Sequence, residues 1–117
     1  MKFALLIYGE ENAWASLDQA ERARMYEEHG AFGAWLDGKG WDRGGEELAL
    51  SERAATVRAD GDGFVVADGP FTETKEQLGG FYLVECPSRE DAIEAARRLP
   101  ADVVEVRPIV EEDERPS

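Results

Sequence analysis

Asp68-Gly69-Pro70-Phe71-Thr72-Glu73-Thr74-Lys75-Glu76-Gln77-Leu78-Gly79-Gly80 is a turn that runs straight into an apolar strand. Gly69-Pro70 supplies a stiff bend, because proline fixes φ and glycine takes conformations that other residues avoid. A plain connector needs no more than that. This one adds an acid before the turn, an aromatic just after it and a lysine between Glu73 and Glu76. Ionisable groups are dense enough here to make the segment a candidate site as well as a joint. One helical turn over residues 73–78 is expected within it.

Working outward, Ala55-Thr56-Val57-Arg58 and Phe64-Val65-Val66-Ala67 read as two strands joined around Asp60-Gly61-Asp62-Gly63, a hairpin signal. Downstream, Phe81 to Cys86 is a strand that Pro87 stops. Ser88 and Asp91 then cap a helix whose apolar stripe is Ala92, Ala95, Ala96 and Leu99. Arg97 and Arg98 suit its C-terminal end, Pro100 closes it, and Val103 to Arg107 is the last strand. At the other end, Phe3 to Tyr8 reads as a buried strand ended by Gly9. Ser16 and Gln19 have capping-box spacing, which predicts a helix over residues 17–36. Met25, His29, Phe32 and Leu36 recur at helical spacing and share one face. Gly30 and Gly33 would admit a close neighbour. Residues 41–50 are a connector or an irregular strand, bent at Gly44-Gly45.

Strand, helix, strands, strand, helix, strand in a chain this small predicts a ferredoxin-like α+β domain, an antiparallel sheet with both helices on one face. The sheet's other face is left bare. Two copies that place those faces together would cover it, so a homodimer with a closed or nearly closed central barrel is expected. Residues 1–110 make one domain. Residues 111–117, opening with Glu111-Glu112-Asp113-Glu114, are expected to be a solvated, flexible acidic tail.

Twenty-six acids against 13 bases give a formal charge of −13. Such a chain repels polyanions, so direct nucleic-acid contact and binding to anionic membranes are not expected. The single cysteine, Cys86, excludes an internal disulfide framework and suits a reducing cytoplasm. The apolar run Phe3 to Ile7 is too short for a signal peptide or a membrane span.

Asp68-Gly69-Pro70-Phe71 with Glu73, Lys75-Glu76 and Gly79-Gly80-Phe81 resembles the signature of the YCII-related family, and more closely its DGPF-domain branch. Leu6-Ile7-Tyr8-Gly9-Glu10 with Trp14, Gly44-Gly45, Thr56-Val57-Arg58 and Val104-Glu105-Val106-Arg107-Pro108 are similar to that branch as well. The likeness extends to about Ile109. It implies the dimeric α+β barrel. From one branch of the family it also implies a catalytic His–Asp pair, here His29, the only histidine, with Asp68 assigned by motif. Some relatives are fused to or associated with sigma factors, which implies a possible protein partner.

Read from its own chemistry, His29 near a cleft could move protons near neutral pH, and a nearby Asp would orient it. The plainer alternative is a half-buried imidazole bonded to one backbone carbonyl. Asp68 is a candidate partner or a turn-stabilising acid. Phe71 is expected to anchor the turn in the core and to border a ligand. Lys75 could hold an anionic ligand or form a solvated ion pair. Tyr8 and Trp14, with Trp35 and Trp41, could wall an aromatic pocket or serve as core. Zinc, calcium, P-loop and dinucleotide patterns are absent, so neither metal nor cofactor is expected. Two functions stand side by side. One is a cofactor-free enzyme acting on an unknown small molecule through a His–Asp acid/base pair. The other is a non-catalytic ligand-binding or regulatory module.

Overall fold

The computed structural model describes residues 1–116. A continuous apolar run, Phe3 to Tyr8, lies within strand β1 (Lys2–Glu10), an inner strand of a four-stranded antiparallel sheet. Its neighbours are β5 (Glu76–Glu85) and β6 (Val103–Pro108), and β2 (Asp42–Glu47) pairs with the far side of β5. The sheet order is therefore β2-β5-β1-β6. Register fixes the faces: Phe3 lies opposite Val84, and Leu5 lies between Tyr82 and Val106. Helices α2 (Gln19–Lys39) and α3 (Arg89–Arg97) supply Phe32, Leu36, Ala92 and Ala95 to this side. Phe3, Leu5, Leu36 and Val84 are at most 1% exposed and form the centre of the core. Burying each such side chain is worth roughly 1.5–3 kcal/mol. Ala4, Leu6, Phe81 and Leu83 point to the opposite side and stay only partly covered. The α+β, ferredoxin-like architecture expected from the sequence is the observed one.

Several details differ from the sequence reading. A short helix, α1 (Glu11–Ala15), follows β1, and Ser16 closes it by donating its hydroxyl to the Asn12 carbonyl at 2.7 Å. The cap of α2 is Asp18: its carboxylate accepts from the Glu21 N–H at 2.8 Å, and Glu21 accepts from the Asp18 N–H at 3.1 Å. Both serine and aspartate fit the pattern. A carboxylate gains more at the positive end of a helix. No backbone or side chain approaches Gly30 or Gly33 closely enough to need a glycine there.

Residues 73–78 do not make a helical turn. Glu76, Gln77 and Leu78 already pair with β1, and the Gln77 amide donates to the Thr72 and Thr74 carbonyls. The segment 42–47 is a true edge strand, in which Gly45 is required because a Cβ would run into the Phe81 carbonyl.

Strands β3 (Ala55–Asp60) and β4 (Gly63–Asp68) form a separate two-stranded hairpin. Gly61, at φ +60°, opens its two-residue turn, the conformation for which glycine is selected. Phe71 lies beyond the hairpin and is 70% exposed, so it does not anchor the turn in the core. It lies instead beneath the Arg58 guanidinium, 4.8 Å from ring centre to cation.

Candidate functional site

His29 projects from α2 toward the sheet, on the stripe that also carries Phe32 and Leu36. Tyr82 projects toward it from β5, because alternation puts Tyr82 on the same side as Val84. The two rings lie nearly parallel with centroids 6.0 Å apart, and His29 Nδ1 meets the Tyr82 hydroxyl at 2.9 Å. Burial pushes the His29 pKa below 6.5, against the opposing pull of Glu47 and Glu28. The imidazole is therefore mostly neutral at pH 7. Burial, reinforced by Asp42, raises the Tyr82 pKa, so its hydroxyl keeps its proton. Either tautomer satisfies the bond: Nδ1–H donating to the phenol oxygen leaves Nε2 free to take a proton, and the hydroxyl donating to a bare Nδ1 leaves the proton on Nε2.

One turn before His29, the exposed Tyr26 donates its hydroxyl to both Glu47 oxygens, at 3.1 and 3.0 Å. That bond, with burial, raises the Tyr26 pKa. Glu47 reaches this position from β2, where its cross-strand partner is Gly80. Trp14 packs edge-on to Tyr26 at 5.7 Å. Tyr26, His29, Glu47 and Tyr82 thus form a polar seam between α2 and the β2 edge of the sheet. Trp14, Glu47, Leu48 and Arg53 also border an open cleft of about 380 Å³, so Glu47 belongs to both seam and cleft.

A second open cleft, of about 440 Å³, lies at the foot of the hairpin among Glu11, Ser51, Gly69, Pro70, Lys75 and Gln77. The Glu11 carboxylate accepts from the Ser51 N–H at 2.6 Å and from its hydroxyl. Lys75 pairs with Glu10 at 3.1 Å and is 80% exposed. A pair that exposed contributes under about 1 kcal/mol.

The six expected site residues are therefore scattered over the fold. His29 belongs to the seam and Trp14 flanks it. Lys75 lines the cleft that Gly69-Pro70 walls, while Asp68 ends β4, exposed and without a side-chain hydrogen bond among the described residues. Asp68 does not meet His29 within the chain. The acids acting on His29 are Glu47 and Glu28. Tyr8 lies on the sheet's other face and donates to Glu105 at 3.3 Å. Tyr82, Tyr26 and Glu47 are not among the site residues expected from the sequence. Tyr82 was findable, since a tyrosine on the core side of a strand needs a partner for its hydroxyl. Glu47 was not, because residues 41–50 had no readable face.

The YCII-related domain family matches residues 1–113 of the sequence. The chain belongs to the YCII-related family. It is also 37% identical over 110 residues to an uncharacterized protein of Rhizobium meliloti (strain 1021), an alignment that covers 85% of this chain and 80% of that protein. Elsewhere in this YCII-related chain, Cys86 is buried, and burial raises its pKa, as suits a packing residue. No described helix is long and apolar enough to cross a membrane.

Proposed function

We propose that this YCII-related protein binds a small molecule in the Trp14–Glu47 cleft and uses His29 as a cofactor-free proton carrier beside it. The carrying observation is the 2.9 Å bond between His29 Nδ1 and the Tyr82 hydroxyl, made where burial holds the imidazole neutral. A neutral, oriented ring is equipped to take a proton and return it. Positioned acid–base groups of this kind contribute about 10²–10⁴-fold to a rate. Tyr82 takes the orienting role that the sequence had given to Asp68, and Glu47 is the nearby acid. Proton abstraction, isomerisation or elimination on an aromatic or cyclic compound suits Trp14 as a wall, with Tyr26 packed behind it. Lys75 is assigned to the second cleft, Asp68 stands beside its Gly69-Pro70 wall, and the Asp68–Phe71 motif supports the DGPF-domain branch. In this reading the protein is a cytoplasmic homodimer that joins its partly covered sheet faces.

Because His29 is the only histidine, its ring signals in NMR are unambiguous. Its titration in wild type and in Tyr82→Phe tests the proposal. A pKa below 6.5 that shifts in Tyr82→Phe is expected. An ordinary pKa, indifferent to that change, would leave His29 without the poised state that the proposal requires.

The charge of −13 favours one other reading, a non-catalytic module that docks on a basic protein such as a sigma factor. Salt-sensitive capture of such a partner, unaffected by His29→Gln, would select it.

A further inference from the structure

The cleft beside the seam has two walls from different parts of the chain, and both are tied down. Trp14, on α1, is one wall. Tyr26 packs edge-on behind it, and Arg22 donates to the Trp14 and Ala15 carbonyls at 3.4 and 3.0 Å, its guanidinium 5.6 Å from the indole centre. The other wall is the segment that carries Leu48, Leu50 and Arg53. The Leu48 N–H holds its start by donating to the Gly79 carbonyl at 2.9 Å. Its end is a 3₁₀ turn, Ser51–Arg53, in which the Arg53 N–H donates to the Leu50 carbonyl at 3.0 Å. Glu11 joins the two walls, because its carboxylate on α1 accepts from both the N–H and the hydroxyl of Ser51. The spacing between Trp14 and the Arg53 backbone is thereby set before any ligand arrives.

Arg53 is the cation of this lining, and it is uncommitted. Among the described residues its side chain makes no ion pair, hydrogen bond or cation–π contact. With 26 acids for 13 bases, partners are plentiful, and Lys75 in the other cleft has taken one. An open guanidinium fork beside an indole and two leucines matches a ligand that joins an apolar ring to a planar oxyanion. We propose that the ligand of this cleft is a ring compound bearing a single carboxylate: Arg53 pairs with the carboxylate, while Trp14, Leu48 and Leu50 take the ring. The inference rests on the reading of this cleft as the small-molecule site and supplies the charge of its ligand. Arg53 selects by charge and takes no part in the proton transfer.

Two acids in the same lining, Glu47 and Glu52, limit the ligand to one negative charge. A phosphate dianion would meet twice the repulsion of a monoanion from them and from a chain already at −13, whereas one carboxylate is matched by one guanidinium. A cationic ligand would meet a like charge in Arg53, and both Glu47 oxygens are already engaged by the Tyr26 hydroxyl. Size agrees with a single ring. An apolar cavity of about 150 Å³ holds benzene. The cleft's volume of about 380 Å³ therefore has room for one ring and a short acidic side arm.

NMR titration with three probes that share one ring tests this: phenylacetate, neutral phenylacetamide and cationic phenethylamine, each added to wild type, Arg53→Gln and Arg53→Lys. The Trp14 indole N–H reports binding, and the His29 ring is titrated with pH in the same samples. Phenylacetate is expected to move the Trp14 signal with an affinity at least about tenfold above that of phenylacetamide. That preference should vanish in Arg53→Gln and return in part in Arg53→Lys, which keeps the charge without the fork. The wild-type comparison stands even if a variant misfolds. Equal wild-type affinities for the acid and the amide, or a preference that survives Arg53→Gln, would overturn the carboxylate assignment. Tighter binding of phenethylamine would overturn it too, and would turn the cleft over to Glu47 and Glu52. In each of these cases a His29 pKa still below 6.5 leaves the proton-carrier reading in place. A Trp14 signal indifferent to all three probes would remove the cleft as the binding site, and the carboxylate assignment with it.

Discussion

A tyrosine hydroxyl placed between helix and sheet needs a partner, and Tyr82 has the chain's only imidazole. The arrangement has a consequence for pH. Burial lowers the His29 pKa in the folded state, while the unfolded chain keeps a value near 6.5. As pH falls through 6.5, the unfolded chain takes up a proton that the folded chain resists. Folding stability from this group is therefore complete above that value and is lost as the pH falls below it. The expected outcome is a melting temperature that drops between about pH 7.5 and 5.5, with part of the drop absent in His29→Gln. Thermal melts of the two proteins across that range check it. Identical pH profiles would mean that the ring is hydrated and free to charge.

The start of α2 turns on a choice between two caps. Asp18 and Glu21 bond each other's backbone N–H, whereas Ser16 is spent on the end of α1. Asp18→Ala should cost about 1 kcal/mol, as capping losses do. Ser16→Ala, on an exposed five-residue helix, should stay within about 0.5 kcal/mol. Denaturant melts of both variants separate the two, and a larger loss at Ser16 would restore the cap read from the sequence. The same pair shows what was legible. The Met25–Leu36 stripe and the Ser88 cap of α3 were readable, because helical spacing and a cap before an apolar run are local signals. The α2 boundary was not, since two overlapping patterns differed only in how their side chains were engaged. β2 was half legible, as the irregular-strand alternative for residues 41–50: Asp-Arg-Gly-Gly-Glu-Glu has no alternation to give its faces, and the strand exists because β5 offers it an edge. With those faces went Glu47, and with Glu47 the acid beside His29. Asp68 was legible as a motif residue, but nothing local says what a hairpin's end will face.

At the scale of the whole molecule, charge and apolar surface pull against each other. Each copy carries −13, spread over a body 51 × 47 × 18 Å, so the proposed pairing of sheet faces must form against mutual repulsion. Salt screens that repulsion: the Debye length shrinks from about 30 Å at 0.01 M to about 10 Å at 0.1 M. Apolar burial does not depend on the attraction of opposite charges and is not weakened by this screening. If dimerisation is apolar, it should tighten as sodium chloride rises from about 10 to 150 mM at pH 7.5, opposite to the trend for a contact made of ion pairs. Sedimentation equilibrium at the two salt concentrations measures it. Association that weakens with salt would instead place cations such as Arg58 and Arg107 against the acids of the other copy. The open sheet face would then no longer explain why two such acidic chains come together.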